Sequence, residues 1–222
     1  MKAMILAAGK GERMRPLTET TPKPLLMVGG KRLIEYHLER LARHGFQDIV
    51  INTGWLGDQI PDTLGDGSAY GLGIHYSHER PEPLETAGGI APALHLLGPE
   101  PFLVINGDIL CDYEPEADLD PGDMNAHLIL VNNPEHNPAG DFALDHGQVH
   151  NEGKERCTFS GIAYYRPEFF KGLNTNQPLA LAPILRKAAD EGLVSGKKYE
   201  GTWLDIGTPQ RLQELDIVLS GE

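Results

Sequence analysis

Leu6-Ala7-Ala8-Gly9-Lys10-Gly11-Glu12-Arg13-Met14-Arg15-Pro16 is the stretch whose reading decides the fold. It follows directly on Met4–Ala7, an apolar segment that reads as a buried first strand. A glycine-rich turn at the carboxyl end of a strand is where open α/β sheets bind their ligands. Ala8, Gly9 and Gly11 carry little or no side chain, so backbone N–H groups can come close to a phosphate or a base. Arg13 and Arg15 add cationic forks suited to phosphate oxygens. Two common phosphate motifs do not fit. A dinucleotide fingerprint needs a glycine where Met14 stands, and a Walker loop needs Ser or Thr after Lys10, where Gly11 stands.

Outward from this loop, helix-like and strand-like patterns alternate, which predicts βαβ units and a mostly parallel sheet covered on both faces. Leu33, Ile34, His37, Leu38, Leu41 and Ala42 recur at helical spacing within 31–44, and Gly45 stops them. Ile49–Ile51 reads as the second strand. A short helix carries Ile60 and Leu64, Gly73–Ser77 alternates like a strand, and 87–97 looks helical despite Pro92. Phe102–Ile105 is a continuous apolar run, expected as a central strand, that ends in Asn106-Gly107-Asp108. Residues 112–122 are acidic and Pro-interrupted, a surface connection. Beyond them 126–131, 141–145 and 157–165 look like strands without full helices between, a β-rich subdomain. Helical patterns at 179–191 and 209–219 close the chain around a strand at Trp203–Ile206.

Length and composition set limits. The 222 residues with 40% apolar content suffice for one substantial core, so a single domain over 1–222 is expected. Nineteen Lys and Arg against 32 Asp and Glu give a net charge of -13, which opposes binding to nucleic acid. The apolar start of the chain is too short for a signal segment or a membrane span, so a cytoplasmic protein without a membrane partner is expected. A monomer is the working expectation. Cys111 and Cys157 are too far apart for a redox pair or a metal knuckle and read as packing residues.

Two further elements carry chemistry. Thr21-Pro22-Lys23-Pro24-Leu25 fixes a lysine between prolines, which lowers the entropy of holding its ammonium in place. Asp108, at the end of the presumed central strand, and Asp205, in Trp203-Leu204-Asp205-Ile206-Gly207-Thr208-Pro209, both sit where a strand gives way to a glycine turn. Each alone is equally a cap or turn residue. Together they suit Mg2+, which takes one or two protein carboxylates and fills its other sites with phosphate oxygens and water.

The glycine loop and the Lys-Pro element resemble those of the sugar-phosphate nucleotidyltransferase family, whose pattern runs apolar-Ala-Ala/Gly-Gly-x-Gly-x-Arg-apolar-x-Pro and then Lys-Pro. The resemblance extends from Lys2 to about Leu215. It implies a Rossmann-like α/β fold: a mostly parallel sheet with helices on both faces and a small β-rich sugar-binding subdomain. Residues 1–111 would form the nucleotide-binding half and 112–222 the sugar-binding half. By the same resemblance, Ala8, Gly9 and Gly11 would cradle the nucleotide, Arg13 would hold the leaving pyrophosphate, Lys23 would neutralise the reacting phosphates, and Asp108 and Asp205 would bind the metal. The implied reaction is attack of a sugar 1-phosphate oxygen on the α-phosphorus of a nucleoside triphosphate. Positioning and charge neutralisation carry most of such a reaction, and the ionised phosphate needs no general base, so none of the nine histidines is nominated.

Pro83-Leu84-Glu85-Thr86-Ala87-Gly88-Gly89 is similar to the family segment that runs past base and ribose, with Glu85 in place of the usual glycine. Glu85 and Gly88 thereby join the nucleotide site, and the resemblance adds Asn106, which precedes Gly107-Asp108. The Leu-Glu-Thr variant looks like that of a short bacterial subgroup, the N-acetylmuramate 1-phosphate uridylyltransferases of peptidoglycan recycling. Many longer relatives carry a C-terminal β-helix, and no such pattern follows the last helix here. Gly140-Asp141-Phe142 and Thr158–Gly161 fall where relatives line the sugar pocket. Between them relatives commonly show Glu-Lys-Pro, where this chain has Glu152-Gly153-Lys154 with Gly153 inserted, and by the resemblance Glu152 and Lys154 would join that pocket. UTP and N-acetylmuramate 1-phosphate are therefore the expected substrates. Guanylyl, thymidylyl or uridylyl transfer to mannose, glucose or another hexose 1-phosphate is the alternative, and an inactive nucleotide-sugar sensor the alternative from another class.

Overall fold

The computed structural model describes residues 1–79, 84–173 and 177–220. β1 (Lys2–Ala7) lies inside the sheet, and its successive residues serve both faces. Ala3, Ile5 and Ala7 enter one core and Met4 the other. This two-sided burial is why the strand reads as an apolar run rather than an alternation.

A small hairpin of β2 (Met27–Val28) and β3 (Lys31–Arg32) leads into α1 (Leu33–Arg43), whose first turn is fixed by the Glu35 carboxylate accepting from the Arg32 N–H at 2.6 Å. Then come β4 (Asp48–Thr53), α2 (Gln59–Leu64), β5 (Gly73–His78), α3 (Glu85–Leu97), β6 (Phe102–Asn106) and β7 (Ile109–Cys111). The remainder comprises β8 (Ala126–Val131), β9 (Phe142–Asp145), β10 (Gln148–His150), β11 (Arg156–Tyr165), α4 (Leu181–Asp190), β12 (Val194–Tyr199), β13 (Trp203–Asp205) and α5 (Pro209–Ser220). Pro92 removes one helical N–H from α3, yet Ala87, Ile90, Ala91, Ala93 and Leu97 are all buried, so packing outweighs the lost bond.

The main sheet has nine strands in the order β5-β4-β1-β6-β11-β8-β12-β10-β9. β5, β4, β1 and β6 are mutually parallel, as the alternating pattern implies. β11 runs antiparallel to both β6 and β8. The β-rich segment therefore extends the same sheet. One core, with residues of α1 and α2, covers one face; the other, with residues of α3 and α4, covers the opposite face. β12 has no counterpart in the sequence reading. Its Ser195, Gly196, Lys197 and Lys198 break any apolar alternation, and Gly196 packs so tightly that a Cβ there would lie 2.8 Å from the Leu128 carbonyl oxygen.

A third cluster ties the chain's end to its beginning. Met14 of the glycine loop is fully buried against Leu26, Val28, Leu33, Ile206 and, from α5, Leu212 and Leu215. Each such side chain contributes about 1.5–3 kcal/mol of burial, enough to hold the loop's far end in place.

Candidate active site

The loop after β1 lines a cavity of about 500 Å³ with the residues that follow β6. Its two glycines serve different ends. Gly11 has φ +61°, and a Cβ there would meet Thr18 Cγ2 at 2.9 Å, so glycine is required on both conformational and packing grounds. A Cβ on Gly9 would meet nothing within 4 Å, which leaves its backbone open to the cavity. Gly107 allows the ends of β1 and β6 to approach, its N–H donating to the Leu6 carbonyl at 2.9 Å. Asp108 is thereby carried to the cavity wall. Lys23, nearly buried, places Nζ 2.8 Å from Asp108 Oδ2. The proline-flanked lysine and the strand-end aspartate are thus partners.

Pairing of β7 with β13 sets Asp205 opposite Ile109, and the Ile206 N–H donates to the Asp108 carbonyl at 2.9 Å. The two aspartates are brought together through their backbones, although only Asp108 lines the cavity. Asp205 Oδ2 accepts from Arg211 Nη1 at 2.8 Å and lies 3.3 Å from His136 Nε2. Its Oδ1 lies 3.1 Å from the point where a Cβ on Gly207 would sit, and both terminal nitrogens of Arg13 lie 3.3 Å from that same point. Arg13 and Asp205 therefore converge over Gly207, which does line the cavity.

Asn52 and Glu79, which the sequence reading passed over, also line this cavity and are nearly buried. Asn52 Oδ1 accepts from the Ala7 N–H at 2.7 Å, and its Nδ2 donates to Glu79 Oε1 at 2.6 Å. Glu79 Oε2 accepts from the Leu84 N–H at 2.7 Å. Burial pushes the Glu79 carboxyl up, against the two hydrogen bonds that favour its anion. The pair fixes the end of β1 to the approach of α3. Asn52 follows the apolar run of β4, so the strand-end rule that singled out Asp108 applies to it as well.

A second cavity, of about 480 Å³, shares Leu6, Glu85, Thr86 and Asn106 with the first, so the two adjoin. Asp141 lines it, held by the Phe159 N–H on Oδ2 at 2.8 Å and by Asn137 Nδ2 on Oδ1 at 3.1 Å. Gly161 sits at the irregularity of β11 with φ +81°, where a Cβ would press on Asn106 Cγ at 2.8 Å. Glu85 has φ +59°. Glycine adopts that conformation freely, whereas for other residues it is strained by about 1–2 kcal/mol. The glutamate thus keeps a glycine-like backbone while lining both cavities. Arg186 on α4 completes the second wall. It follows no motif, and the sequence held no signal for it.

Other expected residues lie elsewhere. Gly88 is in the first turn of α3, where its N–H donates to the Leu179 carbonyl at 3.1 Å, and it lines neither cavity. Gly140, φ +65°, packs against Arg156 behind Asp141. Glu152 is exposed and outside both cavities, and Lys154 lines a separate recess with Arg156 and Lys198. The insertion of Gly153 puts this segment over Ala143 instead, whose Cβ would lie 2.5 Å from one on Gly153. Pro83 falls outside the described residues. Cys111 and Cys157 are buried and unpaired, as expected.

The family model described as Nucleotidyl transferase matches residues 2–218. The chain belongs to the nucleotidyl transferase family. It is 57% identical, over 96% of both chains, to the N-acetylmuramate alpha-1-phosphate uridylyltransferase of Neisseria meningitidis serogroup B. It is 34% identical to the enzyme of the same name from Caulobacter vibrioides, over 94% of this chain and 92% of that one. Among solved structures, a Bacillus anthracis protein described as a glucose-1-phosphate thymidylyltransferase superposes with a TM-score of 0.85 at 23% identity, over 100% of this chain and 96% of the other, which supports the nucleotidyltransferase fold.

Proposed function

We propose that this nucleotidyl transferase moves a uridylyl group from UTP to N-acetylmuramate 1-phosphate, giving UDP-N-acetylmuramate and pyrophosphate. The carrying observation is the pair of adjoining cavities: one has the glycine loop and cations, the other a polar and apolar wall of sugar size, and they meet at Glu85, Thr86 and Asn106. The choice of substrates rests on the relatives that share 57% and 34% of its residues. In this reading 1–111 forms the nucleotide half and 112–222 the sugar half. Ala8, Gly9 and Gly11 hold the nucleotide, and Asp141 holds the sugar.

Chemically, an oxygen of the sugar phosphate attacks the α-phosphorus, the bond to the β-phosphate breaks, and pyrophosphate leaves. Arg13 neutralises the leaving group, and Lys23 the charge that builds on the reacting phosphates. The donor set of Asp108 and Asp205 suits Mg2+: hard carboxylate oxygens on adjoining backbones, each with a second oxygen beyond its ion pair. Bound there, the ion would supply further neutralisation of phosphate charge. Lys23 and Arg211 meanwhile keep both carboxylates compensated. Peptidoglycan recycling in the cytoplasm, by a monomer, is the setting this reading implies; no helix among the described residues is long and apolar enough to cross a membrane.

The test is pyrophosphate release across UTP, GTP, TTP and CTP, each with N-acetylmuramate, N-acetylglucosamine, glucose and mannose 1-phosphates. The highest specificity constant is expected for UTP with N-acetylmuramate 1-phosphate. A higher value for GTP with mannose 1-phosphate would move the assignment to a guanylyltransferase, and no turnover in any cell of the grid would favour a sensor.

A further inference from the structure

We infer that Arg186 selects the sugar substrate by pairing with a carboxylate on it, the lactyl carboxylate of an N-acetylmuramate-type sugar 1-phosphate. The inference rests on the function proposed above and names the group that would make it specific.

The first observation is the division of charge between the cavities. Lys10, Arg13 and Lys23 line the first, where the phosphates belong, and none of them lines the second. Among the described residues of the second cavity, Arg186 alone is cationic. A hexose 1-phosphate whose one anionic group is already served in the first cavity offers this cation nothing. A sugar bearing a second anion does.

The second observation is how the cation is set. Arg186 Cζ stands 5.3 Å from the centroid of the Phe142 ring, so the guanidinium is held over an aromatic face. Its Nη1 approaches the Asp141 carbonyl at 3.4 Å, a long contact that orients the group while leaving most of its five donors to other partners. The neighbouring Leu185 is buried in the core and fixes this turn of α4. A planar fork in a fixed orientation is the arrangement that recognises a carboxylate through two parallel hydrogen bonds.

The third observation is what surrounds it. Val104, Phe159, Ala163 and Leu181 supply apolar surface to the same cavity, and Arg186 stands exposed at its wall, where a bound substrate can reach the guanidinium. The remaining charges are the carboxylates of Glu85 and Asp141, which repel an anion and accept from hydroxyl or amide N–H groups. They leave a substrate carboxylate one favourable place in the cavity, the guanidinium of Arg186.

The experiment compares kcat/KM for N-acetylmuramate 1-phosphate and N-acetylglucosamine 1-phosphate, each with UTP, in the wild type and in Arg186→Ala, Arg186→Gln and Arg186→Lys. The preference ratio should fall about 10- to 100-fold in the Ala and Gln variants, as when a hydrogen bond to a charged group is lost, and less in the Lys variant, which keeps charge without the fork. The wild type should prefer the acid to its lactyl methyl ester, and Arg186→Ala should treat them alike. That second readout depends on the substrate carboxylate, so general damage to the fold does not imitate it. A wild type that prefers N-acetylmuramate 1-phosphate together with variants that keep the same preference would overturn the role of Arg186 and leave the proposed function standing. Equal losses on both sugars would also overturn it, because Arg186 would then hold the phosphate or the ring. A wild type without the preference would defeat both readings.

Discussion

The two adjoining cavities are built in opposite ways. The first is made chiefly by one contiguous stretch, Leu6–Met14, set at the ends of the parallel strands β1, β4 and β6. The second gathers Asp141, just before β9, with Phe142 of β9, Phe159 and Gly161 of β11, and Leu181 and Arg186 of α4; β9 pairs antiparallel with β11, whose register against β8 is irregular at Gly161. In the proposed reading, chemistry common to many substrates resides in a local motif, while the choice among sugars would be distributed over elements far apart in the chain.

The largest expected effect concerns the first cavity. Asp108→Asn keeps shape but removes the charge that pairs with Lys23 and would hold a metal, and turnover in steady-state pyrophosphate release should fall about a hundredfold or more. Full turnover in that variant, or in excess chelator, would remove Asp108 from the chemistry. Lys23→Ala should lower kcat more than it raises KM, since a preorganised charge favours the transition state. A change in KM alone would demote Lys23 to uniform binding.

The second cavity should respond differently. Asp141→Asn retains the bulk that accepts the Phe159 N–H but weakens that bond, and the KM for sugar 1-phosphate should rise about tenfold while the KM for UTP stays within about twofold. Equal changes in both constants would dissolve the division between the cavities.

A pH titration sharpens the comparison at His37, which feels the charge of Asp108. His37 on α1 is buried, and neither ring nitrogen meets hydrogen-bond geometry, although the Ile109 backbone faces it. Burial, aided by the charge of Arg40, lowers its pKa from 6.5 to about 4. Between those values the unfolded chain binds a proton that the folded chain refuses, so this contribution is fully present above pH 6.5 and is lost as pH falls towards 4, by about 3 kcal/mol. Thermal unfolding followed from pH 7 to pH 4 should show this loss, about two thirds of it by pH 5, and His37→Leu should show a smaller one. Equal slopes would mean that His37 is not held neutral.

The smallest effect is expected at the boundary. Glu85→Gly releases the strain of φ +59° while adding freedom to the unfolded chain, so the melting temperature should stay level or rise slightly, and Glu85→Val should lower it by the equivalent of about 1 kcal/mol. A clear loss of stability in the glycine variant would show that the Glu85 side chain, rather than its backbone, holds this corner together.

How much was legible follows the same division. The glycine loop, Lys23 and Asp108 stood out because each sits at a chain position whose local pattern already implies a strand end or a fixed turn. Long apolar or helical runs placed β1, β4, β6, α1 and α4 within a few residues. β12 was invisible because its Gly196-Lys197-Lys198 carries no apolar alternation, although the strand is paired on both sides, with β8 and β10, and Gly196 packs against the Leu128 carbonyl. Arg186 and His136 were invisible because their significance comes from tertiary neighbours, Phe142 for one and Asp205 for the other. Lys154 shows the converse: a residue placed by motif register alone, which the Gly153 insertion carries to a different recess.

The most direct test of the account is a crystal structure of the protein with UDP-N-acetylmuramate. The account predicts the diphosphate along Ala8–Arg13, the sugar ring against Asp141, and the lactyl carboxylate on the guanidinium of Arg186. A sugar ring outside the second cavity, or a lactyl group turned away from Arg186, would contradict it.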